Sequence, residues 1–169
     1  MTAFAFRAAV AGFRREHERL RRHTSTLEAA ARELPTLSYE ERQTLIRRIV
    51  AVLEGDIEPH TRAEEEALYP TFERHLRPGA LHRMGRDHAR LRGFEHRLVA
   101  TDVRDTTSLQ ETLFDLHGLL ETHLKKEEEI FLPLLADEPD EQLDRLFRAM
   151  TRTAGPESPH EKEVAECRS

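Results

Sequence analysis

A chain of 169 residues is long enough to bury the core of one domain and short for two. Charged residues make up 34% and aromatics 6%, with no Trp and little Gly, a composition of helices rather than sheets. The net charge of −6 gives no electrostatic reason for a nucleic-acid partner, the one Cys leaves no partner for an intrachain disulfide, and no run approaches the ~20 apolar residues of a membrane span.

The first thirteen residues carry short apolar stretches broken by Arg7 and followed by Arg14 and Arg15, the reverse of a signal peptide's order. A soluble, cytoplasmic protein is expected, as a monomer or weak homodimer, with no membrane association. The first helix is predicted from Ala3 to Leu34, ending before Pro35. Ser38 and Glu41 form a capping-box pattern that opens a second helix running to Leu76, closed by Pro78-Gly79. A third helix follows from Ala80 to Ala100, and the polar stretch Thr101 to Thr107 separates it from a fourth, Ser108 to Leu135. A short fifth helix is expected from Asp140 to Met150. The organisation is therefore an all-α, up-down-up-down four-helix bundle over residues 1–152 with a disordered polar tail over 153–169, which holds His160 and Cys167. Pro59, Pro70 and Pro133 fall inside helices and should kink or end them locally, with Gly55 easing the bend near Pro59.

Residues three, four and seven apart share a helix face, so an inward stripe can be traced on each helix. The first reads Phe6, Val10, Phe13, His17, Leu20, Leu27. The second reads Leu53, Ile57, His60, Glu64 and then Ala67 or Leu68. The third reads Leu81, Met84, His88, Leu91, Leu98. The fourth reads Leu113, Leu116, Leu120, His123, Glu127, then Ile130 or Phe131, and Leu134. Four His and two Glu thus interrupt apolar seams. Burying such groups unpartnered costs several kcal/mol each, and a cation bound among them supplies the compensation. Imidazole and carboxylate together suit iron, manganese or zinc. In each His-x-x-x-Glu pair the two side chains stand about 6 Å apart along the helix axis, so one pair can serve two neighbouring metals.

Internal repetition supports this reading. The segment around His60, Glu64, Glu65, Glu66 and Pro70 recurs 63 residues later around His123, Glu127, Glu128, Glu129 and Pro133. Likewise Glu16-His17 through Arg21 recurs 71 residues later as Asp87-His88 through Arg92. Two helix pairs, each offering His and then His-x-x-x-Glu, predict two half-sites related by an approximate twofold axis.

The other polar residues have simpler expected roles. His23, His82 and His117 lie six residues from the inward His and should face away, and His75 and His96 are two or more turns distant. Glu65, Glu66, Glu128 and Glu129 are expected on a solvated face or just behind the inward groups. Glu16 and Asp87 are expected in surface ion pairs, Tyr69 and Met84 in plain core packing, although either could border the site.

The pattern resembles the hemerythrin-like HHE domain family, in which His, His-x-x-x-Glu, His and His-x-x-x-Glu from successive helices bind a non-haem di-iron centre. The resemblance extends over about residues 10–136. It implies two iron ions, one bound by His17 and His60 and the other by His88 and His123, bridged by Glu64 and Glu127 and by an oxo, hydroxo or water oxygen. The chain departs from the oxygen-carrying hemerythrins in having Met84 where they place a further His, and in having Glu127 where they have Asp at a different spacing. One His fewer implies open metal positions and argues against reversible oxygen carriage. The expected activity is reaction with dioxygen, hydrogen peroxide or nitric oxide, including catalase-like peroxide decomposition in oxidative-stress defence, with no catalytic group apart from the ligands. The alternatives are a module that binds or senses oxygen or iron without turnover, and a metal-free helical interaction protein.

Overall fold

The computed structural model describes residues 3–77 and 79–153, with side chains from residue 10 onward except at 137 and 151–153. Helix α1 spans Ala3–Glu33. It gives way to one 3₁₀ turn, Leu34–Thr36, where Pro35 withholds a backbone donor. Ser38 starts α2 with the expected reciprocal cap: its hydroxyl accepts from the Glu41 N–H at 3.3 Å, and the Glu41 carboxylate accepts from the Ser38 N–H at 2.8 Å. Helix α2 covers residues 39–72 and alternates between two windings. It is α-helical over Tyr39–Val52, Glu58–Ala63 and Tyr69–Phe72, and opens to π turns over Leu53–Ile57 and Glu64–Leu68. Helix α3 is His82–Ala100. Helix α4 covers residues 106–131, α-helical over Thr106–Lys126 and π over Glu127–Phe131, and is followed by a 3₁₀ segment, Leu132–Asp137. Asp105 caps it by accepting from the Ser108 N–H at 3.0 Å. Helix α5 is Asp140–Thr153. No strand occurs among the described residues, and no helix is long and apolar enough to cross a membrane.

The prolines explain the π turns. Glu58, Tyr69 and Leu132 each stand immediately before a proline, and each donates its N–H to the carbonyl five residues back, on Leu53, Glu64 and Glu127 respectively. The wider turn leaves room for a ring that would collide with a carbonyl in an α-helix. The expected kinks are thus absorbed as π turns at Pro59 and Pro70, while at Pro133 the chain tightens and the helix ends.

Several helix ends differ from expectation, with α1 ending at Glu33 rather than Leu34 and α4 running from Thr106 to Phe131 rather than from Ser108 to Leu135. Helix α2 stops at Phe72 rather than Leu76, because Arg74 and His75 turn towards Glu138 on the link between α4 and α5, at 3.3 and 2.6 Å. Helix α3 starts at His82, after Gly79 has turned the chain with a positive φ of 83°. Helix α5 runs three residues past Met150, to Thr153. The expected disordered tail and its His160 and Cys167 lie outside the described residues.

Helices α1 and α4 run antiparallel, as do α2 and α3. His17, Thr24 and Ala31 of α1 meet Glu128, His117 and Gln110 of α4, while Glu58 and Glu65 of α2 meet Arg92 and His88 of α3. Helix α5 packs against α1 and against residues 58–68 of α2. Two apolar clusters fill the interior. One is built on Leu27, Leu34, Leu53, Leu98, Leu113 and Leu116, and the other on Phe13, Leu68, Phe72, Met84, Leu135 and Leu146 of α5. Of the ambiguous stripe positions, Leu68 and Phe131 are buried, whereas Ile130 is 56% exposed. The polar residues sit between the clusters.

Candidate metal centre

His17, His60, Glu64, His88, His123 and Glu127 meet in one buried layer, and none is more than 3% exposed. Their donor atoms form two groups. His17, His60, Glu64 and Glu127 offer atoms all within 4.8 Å of one another, and so do Glu64, His88, His123 and Glu127. The two carboxylates are common to both groups. Each lies at the start of a π turn, one helical turn after a His of the same helix.

Several contacts hold the rings in place. Nδ1 of His17 is 3.0 Å from Glu128 Oε1, and Nδ1 of His88 is 2.8 Å from Glu65 Oε1. Each carboxylate fixes the proton on Nδ1 and turns the free Nε2 lone pair inward, as carboxylates beside metal-binding His do. Arg21 secures Glu128 at 2.8 Å, and Arg92 lies 3.6 Å from Glu65. These partners obey the sequence repeats: Glu65 corresponds to Glu128, His17 to His88 and Arg21 to Arg92. The first half of the chain therefore orients the His of the second half, and the second half orients the His of the first. Glu66 and Glu129 stay exposed, as expected.

Asp87 and Glu16 diverge despite their matching positions. Asp87 is buried, accepts from Lys126 at 2.8 Å and lies 3.8 Å from His123 Nδ1. His123 and Lys126 hold its carboxyl down to about 2. Glu16 binds Arg19, which also pairs with Asp56. The outward His behave as expected: His82 and His96 are exposed, His23 faces Asp56, and His117 donates to the Thr24 carbonyl at 2.9 Å. Met84 packs in the second apolar cluster.

Tyr69 belongs to the site, contrary to the expectation of plain core packing. Its hydroxyl is 3.0 Å from His88 Nε2 and donates to Glu127 Oε1 at 3.4 Å, and its ring stacks on that of His88. On an α-helix, a residue five after Glu64 lies on the flank. The π turn, bonded from Glu64 to Tyr69, carries it back beneath the carboxylate. The following Pro70 was the available signal.

The electrostatics mark this layer as incomplete without a cation. Burial drives the Glu127 carboxyl well above the usual range, and the neighbouring Glu64 adds to the shift. Glu64 lies well below that range: burial opposes its charge, but His60, His123 and His88 outweigh it. Burial lowers His17, while His123 is raised to about 10 because Glu127, Asp87 and Glu64 overcome the same penalty. The two carboxyls shift in opposite directions, as expected where two buried carboxylates cannot both ionise without a cation. Furthermore, His60 Nε2, both Glu64 oxygens, His123 Nδ1 and Glu127 Oε2 are buried with no hydrogen-bond partner. Even the 2.8 Å approach of His60 Nε2 to Glu64 lacks hydrogen-bond alignment. Unsatisfied nitrogen and oxygen lone pairs converging at such spacing suit a borderline divalent metal. The buried His/Glu clusters thus fit metal binding.

Comparison with known proteins agrees with this chemistry. No curated protein and no solved structure gives a significant match. The family model described as the hemerythrin HHE cation binding domain matches residues 8–135, which takes in every residue of the buried layer and its carboxylate supports. The chain belongs to the hemerythrin HHE cation-binding domain family.

Proposed function

We propose that this protein holds a non-haem di-iron centre that reacts with dioxygen, hydrogen peroxide or nitric oxide. In this reading His17 and His60 bind one iron, His88 and His123 bind the other, and Glu64 and Glu127 bridge them. The observation that carries it is the pair of four-residue donor groups sharing the same two carboxylates. Held by these residues, a di-iron centre would supply two-electron redox chemistry between its ferrous and ferric states. Peroxide disproportionation balances on that count, since one peroxide is reduced to two waters while another is oxidised to dioxygen.

The chain's own residues set the conditions. Burial of all six groups keeps bulk water away and favours reactants with only two non-hydrogen atoms. Glu65 and Glu128 keep Nε2 of His88 and His17 turned inward.

The test is a metal count and optical spectrum of protein purified without a His-tag. About two irons per chain and near-ultraviolet absorption, both lost in His60→Ala and Glu127→Ala, are expected. Less than half an equivalent of metal sinks the reading in favour of a helical interaction protein. Oxygen evolution from peroxide by the iron-loaded protein tests the catalase-like activity, which fails if no gas appears. The same buried layer suits a module that binds without turnover, and reversible dioxygen uptake by the diferrous form distinguishes that case.

A further inference from the structure

The six inward groups and the carboxylates Glu65 and Glu128 match between the two halves, but the phenol beside the layer does not. The counterpart of Tyr69, 63 residues on, is Leu132. Only the His88/His123 group therefore has a phenol beside it. Donors that share one metal at ~2.1 Å, set at right angles or tetrahedrally, stand about 3.0–3.4 Å apart. The Tyr69 oxygen is 3.0 Å from His88 Nε2 and 3.4 Å from Glu127 Oε1. Around the same His88 Nε2, His123 Nε2 stands at 3.0 Å and Glu64 Oε2 at 3.3 Å, while His123 Nε2 is 3.4 Å from Glu127 Oε1. Hydrogen bonds satisfy only part of so close a gathering. Glu65 fixes the His88 proton on Nδ1, so its Nε2 brings a lone pair, and a single phenol hydrogen serves only one of these acceptors at a time.

We infer that Tyr69 is a fifth protein ligand on the His88/His123 side, giving that metal an oxygen donor that the His17/His60 metal lacks. This rests on the di-iron reading above. Ligation breaks the phenol O–H bond, forms an oxygen–metal bond and releases the proton to solvent, with no change in oxidation state. The two metals are then inequivalent, and the phenolate lowers the reduction potential of its own iron relative to the other.

The probe is ferric iron loaded into the full-length protein. A phenolate on ferric iron gives a visible charge-transfer band, and resonance Raman excited in that band shows tyrosinate ring modes. The chain has two Tyr, and Tyr39 is 38% exposed at the start of α2, so Tyr39→Phe is the matched control. The expected result is tyrosinate modes in the wild type and in Tyr39→Phe, with loss of the band in Tyr69→Phe while at least one iron remains bound. Two irons per wild-type chain without tyrosinate modes overturn this inference and leave the di-iron reading standing. Failure of the wild type to take up iron overturns both. The Raman measurement on the wild type needs no variant, so it decides the matter even where Tyr69→Phe does not fold.

Discussion

Glu65 and Glu128 show how a side chain can be exposed by its position and functional by its reach. Each follows an inward Glu, and neighbours on a helix point about 100° apart, so the sequence leaves both either on a solvated face or just behind the inward groups. In the folded chain each carboxylate reaches the next helix and grips a His that sits four residues before an Arg. The six inward groups were legible because polar residues on apolar stripes stand out. The carboxylates behind them were legible only as one of two options, and their His partners were not, because nothing in one helix says which ring faces it from another. Losing such a support typically costs 10- to 100-fold in metal affinity. Glu65→Ala and Glu128→Ala should each weaken metal binding by roughly that factor, read by competition with a chelator, while Glu66→Ala and Glu129→Ala leave it unchanged. Equal effects from all four would remove the orienting role.

Asp56 gives a residue-scale prediction away from the centre. His23 faces its carboxylate at 3.3 Å and Arg19 pairs with it, which together hold it at about 2. An unfolded Asp titrates near ~3.9. A depressed folded value means the carboxylate stabilises the fold fully above about pH 4, and this contribution is lost as pH falls through about 2. Asp56→Asn should therefore lower the melting temperature at pH 7 and flatten its fall between about pH 4 and 2. An unchanged slope would show that the pair carries no linkage.

At the scale of the element, prolines were visible in the sequence and their consequence was not. A proline inside a helical pattern predicts a kink or a stop, yet α2 passes two of them by adding a π turn ahead of each. That extra residue is what moves Tyr69 under Glu64, and the matching turn in α4 brings Phe131 rather than Ile130 inward, a choice that the α-helical period left open. Helix starts were clearer, since Ser38 and Glu41 carry their cap in their own chemistry. Helix α5 docks by a different device. A Cβ on Gly12 of α1 would come within 1.9 Å of the Phe147 ring of α5. Gly12→Ala must displace that ring and loosen Leu143, Leu146 and Met150, which complete the second apolar cluster. Overpacking of this kind costs about 1–3 kcal/mol. A drop of roughly 2–10 °C in melting temperature is expected for a chain of this size, with partial recovery in Gly12→Ala/Phe147→Ala. A melt at the wild-type temperature would mean that α5 accommodates the methyl freely.

Across the whole molecule, the repeated halves explain why the bundle tolerates a polar layer through its middle. Two apolar clusters, one on each side, supply the burial that drives folding, and the layer between them contributes specificity at a cost in desolvation. The stripes, their order and the fold class were legible because they depend on periodicity along single helices. The crossed support between halves depends on packing between helices, and only the structure shows it. A layer with unsatisfied donor atoms should make stability depend on metal. Binding at roughly 100 times Kd stabilises the folded state by about 2.7 kcal/mol, equivalent to roughly 5–10 °C in a domain of this length. Chelator-stripped protein should melt lower by that amount and recover on adding ferrous iron anaerobically. Glu127→Gln sharpens the test, because the amide keeps the volume and an acceptor but brings no charge to a cation. That variant should melt close to stripped wild type and gain nothing from iron. If it gains as much as the wild type does, the cation is binding elsewhere and the buried layer is held together by its own hydrogen bonds.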